Sequence, residues 1–245
     1  MPIIMLAELL IQAACLFHAS QSGRIMPWIY VIMIPGLGPA IYFLSEILPE
    51  MAGSRGGRKV VADLRTVIDP DLELRQRQAD AELAQTPATK AAYADECSKR
   101  GMHEEAVAMY RSALSGAFGD DPHLLLGMAR AQLAKGDFAD CEKTLDHLRE
   151  KNPQFNSPDG HVLYARALEG QNKEAEALAE YEAVSAYFPG LEAKVRHALY
   201  LQKLGRVEQS RPMLEAIVAN YKRMPRFAKK LNSDWAKVAS QNLQP

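Results

Sequence analysis

Four times between residues 101 and 217 the chain returns to one short pattern, and a repeat of this length commits it to stacked units. A turn-forming residue stands at Gly101, Gly136, Asn172 and Gly205, spaced by 35, 36 and 33 residues. Five places after each comes a small residue (Ala106, Cys141, Ala177, Ser210), and nine places after it a larger apolar one (Tyr110, Leu145, Tyr181, Leu214). Twelve places after it Ala113, Leu148, Val184 and Ile217 continue the series, and Ala129, Ala165 and Ala198 precede three of the turns. Steps of four and three lie on one helical face, so each unit reads as helix, turn, helix. The small residues let the two helices approach closely, and the turn residue accepts the left-handed backbone that β-carbons resist. Pro122, Pro153, Pro189 and Pro225 follow the units.

This set resembles the tetratricopeptide repeat, a helix pair of about 34 residues, with four copies over residues 87–225. Lys90, Leu125, His161 and Lys194 stand where the family has an early tryptophan. Beyond Pro225, residues Phe227, Leu231, Trp235 and Val238 share a face, as expected of a capping helix over 226–245 that closes the stack's apolar end. The resemblance implies a groove for a peptide or protein partner, lined by the first helix of each pair. It points Ala91, Asp95, Ser98 and Lys99 inward from the first unit, and Leu126, Arg130 and Leu133 from the second. Val162, Arg166 and Glu169 follow from the third, and Val195, Leu199, Gln202 and Lys203 from the fourth. Arg130 and Arg166 are equivalent, and guanidinium forks suit the carboxylates of an extended peptide. The lysine and asparagine clamp of chaperone-binding members is absent, with Ala91 and Asp95 in its first two places.

The front of the chain has a different composition. Residues 1–48 carry three charges, Glu8, Arg24 and Glu46, within a chain of 29 Lys/Arg and 30 Asp/Glu. Residues 3–19 and 25–48 are apolar, about 25 and 36 Å of helix against a hydrocarbon core of about 30 Å. The short polar turn between them predicts a transmembrane hairpin. Arg55, Arg58, Lys59 and Arg65 follow it against Arg24 alone in the turn, which puts the remainder in the cytoplasm at a bacterial inner membrane. A cleaved signal is the rival reading, but no Lys or Arg precedes Arg24. A lipoprotein signal at Cys15 fits less well, since Gln12 stands where an aliphatic residue is wanted. Pro35, Gly36, Leu37, Gly38 and Pro39 predict a kink that packs the hairpin. Glu8 and His18 read as interfacial groups near the span ends, and Trp28, Tyr30 and Tyr42 as belt or packing aromatics.

The run from Trp28 through Pro35–Pro39 to Tyr42 resembles the N-terminal hairpin of cardiolipin synthases and related phospholipase D-type proteins. That resemblance implies anchoring. The catalytic H-x-K motif of those enzymes is missing, since no lysine stands two places after His18, His103, His123, His147, His161 or His197. Residues 49–86 read as a basic juxtamembrane linker with helical segments. Gly53 to Lys59 imitates a phosphate loop, but Val60 follows Lys59 where a Walker loop needs Ser or Thr. Val60, Val61, Leu64, Val67 and Ile68 recur at helical spacing before Pro70, and a charged helical stretch runs from Leu72 to Ala84.

No catalytic constellation, metal-ligand spacing or cofactor fingerprint occurs, and Cys97 and Cys141 fall at helix-packing positions. A net charge of −1 argues against wrapping nucleic acid. Charge is nevertheless segregated. Residues 81–193 hold 11 Lys/Arg and 19 Asp/Glu, whereas residues 194–245 hold 11 and 3. Lys222, Arg223, Arg226, Lys229, Lys230 and Lys237 form a basic cluster suited to anionic lipid, an acidic partner or the acidic half of a second copy. The expectation is therefore an all-α, non-enzymatic membrane scaffold without a cofactor: a transmembrane hairpin followed by an α-solenoid. Its rivals are a lipid-binding or regulatory subunit of phospholipid metabolism acting through the hairpin, and an enzyme of unrecognised type.

Overall fold

A computed structural model describes residues 2–23, 25–47, 49–50 and 69–243. The chain divides into two compact units, Met1–Leu72 and Glu73–Pro245. The basic joint at residues 53–59, Arg65 and the helix expected over residues 60–68 lie outside the described residues.

In the first unit, α1 (Pro2–Gln21) packs against α2 (Ile25–Ile32) and α3 (Leu37–Tyr42), which leads into a π-helical turn at Phe43–Ile47. Cys15, Ala19, Ile32 and Tyr42 form its core, with the Trp28 ring edge-on to Tyr42 at 5.2 Å. The kink expected within residues 25–48 is a full break between Ile32 and Leu37. Pro35 has no N–H to donate, and Gly36 turns to φ +73°, which ends α2. A β-carbon on Gly38 would stand 1.9 Å from the Val31 carbonyl oxygen, so glycine alone lets α3 lie this close. Glu8 and His18 both bond to the second segment. The Glu8 carboxylate accepts a hydrogen bond from the Gly36 amide at the break, and His18 Nδ1 lies 3.0 Å from the Tyr42 hydroxyl. Among the described residues no helix is long and apolar enough to cross a membrane.

The second unit stacks helix pairs. After α4 (Leu72–Ala84) come α5 (Pro87–Lys99) with α6 (His103–Ala113), and α7 (Pro122–Lys135) with α8 (Phe138–Lys151). Then follow α9 (Pro158–Gly170) with α10 (Glu174–Tyr187), α11 (Glu192–Lys203) with α12 (Val207–Arg223), and α13 (Arg226–Gln241). Three of the four first helices are capped by side chains: Thr86 before Pro87, Asp121 before Pro122, and Ser157 before Pro158, each with proline at the first helical position. Pro122 therefore opens a helix instead of closing a unit.

The four within-pair turns are built alike. Gly101, Gly136, Asn172 and Gly205 have φ of 76°, 93°, 58° and 76°. The amide after each donates to a carbonyl five residues back: Met102 to Cys97, Asp137 to Gln132, Lys173 to Leu168 and Arg206 to Leu201, at 2.8–3.0 Å. The turn residue's own amide reaches the carbonyl three back, which completes the two-bond helix stop. Ala106, Cys141, Ala177 and Ser210 are wholly buried where the paired helices meet, as are Ala129, Ala165 and Ala198 across from them. Ser210 donates to the Ala198 carbonyl at 2.7 Å, so its hydroxyl is satisfied in the core. The fold class is all-α with a solenoid-like stack; a transmembrane hairpin is not part of what it shows.

The capping face differs from expectation. Phe227 and Leu231 are 75% and 66% exposed. Helix α13 docks through its second half, where Trp235, Ala236, Val238 and Ala239 cover Leu191, Val195, Leu214 and Ile217. Asn232 Oδ1 also accepts the Leu191 amide at 2.8 Å. Small alanines give this face its close approach, and a pattern read from large side chains alone misses them.

Candidate partner-binding groove

First helices of successive pairs lie side by side, α5 by α7 and α7 by α9, and this brings the expected groove residues into one line. Arg130, on α7, reaches Asp159 at the start of α9 at 4.0 Å. Further on, Lys203 of α11 donates to Glu169 of α9 at 3.1 Å, and Glu169 also accepts from the buried Tyr181 hydroxyl at 2.8 Å. Asp95 accepts from the Tyr110 hydroxyl. Burial first, then the carboxylate beside each, pushes both phenols well above their usual range. These carboxylates are thus held by the chain's own tyrosines, and they narrow the set of groups left for a partner.

Lys99 turns to Glu96 at 3.1 Å. Glu96 also takes Arg100, and although burial raises its carboxyl, the two cations outweigh this and hold it below the ordinary value. Leu126 and Leu199 are half-buried and pack against their neighbouring cores, whereas Val162 and Val195 are fully buried parts of those cores.

Arg166 differs from the rest. It is half-buried, and among the described residues no carboxylate lies within ion-pair distance of it. Burial and then the neighbouring Arg196 guanidinium lower its affinity for its proton, against a smaller upward pull from Tyr181, Glu192 and Glu169. Arg196 is held by Glu192 at 2.8 Å and lies 4.6 Å over the Trp235 ring. Arg166 and Arg196 are thus neighbours: a carboxylate tethers Arg196, while Arg166 makes no ion pair among the described residues. Arg196 and Asp159 were not legible as groove residues. The positions equivalent to Arg196 hold Gly127 and Leu163, both buried, so the repeat itself gave no sign of an arginine.

At the basic end, Lys222, Arg223, Arg226, Lys230 and Lys237 are exposed and Lys229 is half-buried. None of the six makes an ion pair among the described residues. Cys97 and Cys141 are fully buried, and burial pushes the Cys141 thiol up to about 12, so both act as small hydrophobes. No group of three or more His, Cys, Asp or Glu placed to hold a metal occurs among the described residues.

These paired helices, their left-handed turns and the small residues at their crossings match a known pattern. Residues 99–167 match the tetratricopeptide repeat family. The match runs from the end of α5 through most of α9, the part of the stack where the first helices lie closest. No curated protein matches the chain. Helix pairs of this kind suggest a protein-interaction scaffold, and no match supports the N-terminal resemblance to the cardiolipin synthase hairpin.

Proposed function

We propose that this chain is a membrane-anchored scaffold whose repeat groove grips an acidic segment of a protein partner at the cytoplasmic face of a bacterial inner membrane. The observation that carries the groove reading is Arg166, a half-buried guanidinium beside Arg196 that makes no ion pair among the described residues. Keeping like charges together away from water is unfavourable unless an anion joins them. A glutamate or aspartate of an extended partner supplies that anion.

The anchoring part is supported by the first unit's surface. Leu9, Leu10, Phe17, Met26, Tyr30 and Met33 are 58–82% exposed on a unit of three helices, more apolar surface than water-facing domains usually carry. Lipid around the broken second segment covers that surface, and the Glu8 carboxylate satisfies the amide freed at Gly36.

The test is crosslinking and affinity purification from native membranes with the full chain, Arg166→Glu, and a chain lacking residues 1–48. The expected result is one partner lost with Arg166→Glu while the thermal midpoint is kept, and loss of membrane retention under alkaline extraction without residues 1–48. A partner that survives charge reversal at Arg166 but disappears with the hairpin overturns the groove reading.

A further inference from the structure

The repeat pattern supplies its own control for what should fill each junction between neighbouring pairs. One position lies eight residues after the small packing residue of a second helix; another lies eight residues before the turn of the next first helix. At the first junction these hold Leu114 and Met128, which pack into both adjoining cores. At the second they hold Arg149 and Tyr164, with the guanidinium stacked 4.7 Å over the ring, and the cavity left there is about 40 Å³. The third junction holds Ser185 and His197, and the cavity is about 400 Å³.

That cavity lies between α10, α11 and α12; Ala186, Met213, Ala216 and Ile217 make its apolar lining, and Glu182, Ser185, Lys194, His197 and Asn220 its polar one. His197 is drawn back onto the Tyr181 ring, stacked at 6.2 Å and 7°. Both Ser185 Oγ and His197 Nδ1 are buried and have no hydrogen-bond partner, and Ser185 as a whole is 9% exposed. Buried polar atoms in proteins are almost always paired. Two orphans beside one cavity, one on α10 and one on α11, at the position two sister junctions fill with side chains, mark a place made for an external group.

The second junction shows the group that fits. There Tyr164 places a phenol in the equivalent space, with the Asp146 carboxylate beside its hydroxyl. Glu182 occupies the position of Asp146 in the third junction, five residues after the small packing residue. We propose that this cavity binds a phenol, a hydroxyl-bearing aromatic ring, hydrogen-bonded to Ser185 and His197 and seated where the sister junction keeps its own tyrosine. The site is independent of the groove: Leu199 and Lys203 stand about 200° and 240° round α11 from His197 at about 100° per residue.

The experiment titrates the histidine-labelled full chain with p-cresol, toluene and N-acetyltyrosinamide, following the His197 imidazole by NMR. A saturable His197 shift with p-cresol is expected, and binding of toluene at least about tenfold weaker, because toluene leaves both orphans unpaired. Ser185→Val, checked for an unchanged thermal midpoint, should cut that preference to about threefold or less. Ala216→Trp, a substitution at an exposed wall position, should abolish the shift by filling the space. Equal binding of N-acetyltyrosinamide identifies a partner's tyrosine as the source; p-cresol binding without it identifies a free small phenol. No saturable shift at millimolar p-cresol, or one that persists in Ala216→Trp, overturns the proposal.

Discussion

Single residues in this stack are held by steric demands that a substitution can measure. A β-carbon on Gly127 would come within 2.5 Å of the Tyr110 ring, which cannot swing aside without losing Asp95. Gly127→Ala is therefore expected to cost about 1–3 kcal/mol in chemical denaturation. Asn172 is the one turn residue of the four with a β-carbon, so Asn172→Gly should be neutral or stabilising, whereas Gly136→Ala should cost about 1 kcal/mol. Glu142 ties one pair to the next through Lys173 at 2.7 Å and Gln171 at 2.6 Å; burial raises its carboxyl, but these partners outweigh burial and hold it below its ordinary 4.5. A carboxylate depressed in the folded state contributes stability that is present above its unfolded value and is lost as pH falls through the folded one. Thermal midpoints measured from neutral pH downward should therefore decline below about pH 4.5, and Glu142→Gln should flatten that decline.

Among the elements, α13 is the most exposed to test. Its second half covers the last core, so Trp235→Ala should cost about 2 kcal/mol, while Phe227→Ser and Leu231→Ser should leave the thermal midpoint within experimental error. An equal loss from Phe227→Ser would restore the capping face first read from the large side chains. The turns and the small crossing residues were legible in advance because a positive φ and a close helix approach each admit few residue types. Helix α13 was legible as a helix, with Trp235 and Val238 on its docking side; Phe227 and Leu231 misled, because the rest of the buried face is marked by Ala236 and Ala239. Groove membership was legible for Arg130, Arg166 and Glu169, whose spacing follows the repeat, and illegible for Arg196, where the repeat places Gly127 and Leu163. The break in the second apolar segment was half legible: Pro35 and Gly36 announced it, but the hydrogen bond from Gly36 to Glu8 is a long-range pairing that local pattern does not contain.

In the whole repeat unit each pair touches only its neighbours, so stability is a sum over pairs and junctions. Amide hydrogen exchange should accordingly be slowest in α7 to α10, which have neighbours on both sides, and fastest in α4 and α13. Uniform protection from α4 to α13 would instead mean one all-or-none unit. The third-junction cavity has a further consequence in evolutionary terms. It belongs to no single pair but to the joint between two, with one orphan polar atom contributed from each side. Duplication of one pair would copy only half of it, and deletion of either pair would remove it at a stroke, along with that pair's other junction. Such a site is gained and lost by recombination of whole repeats, faster than by the accumulation of point changes.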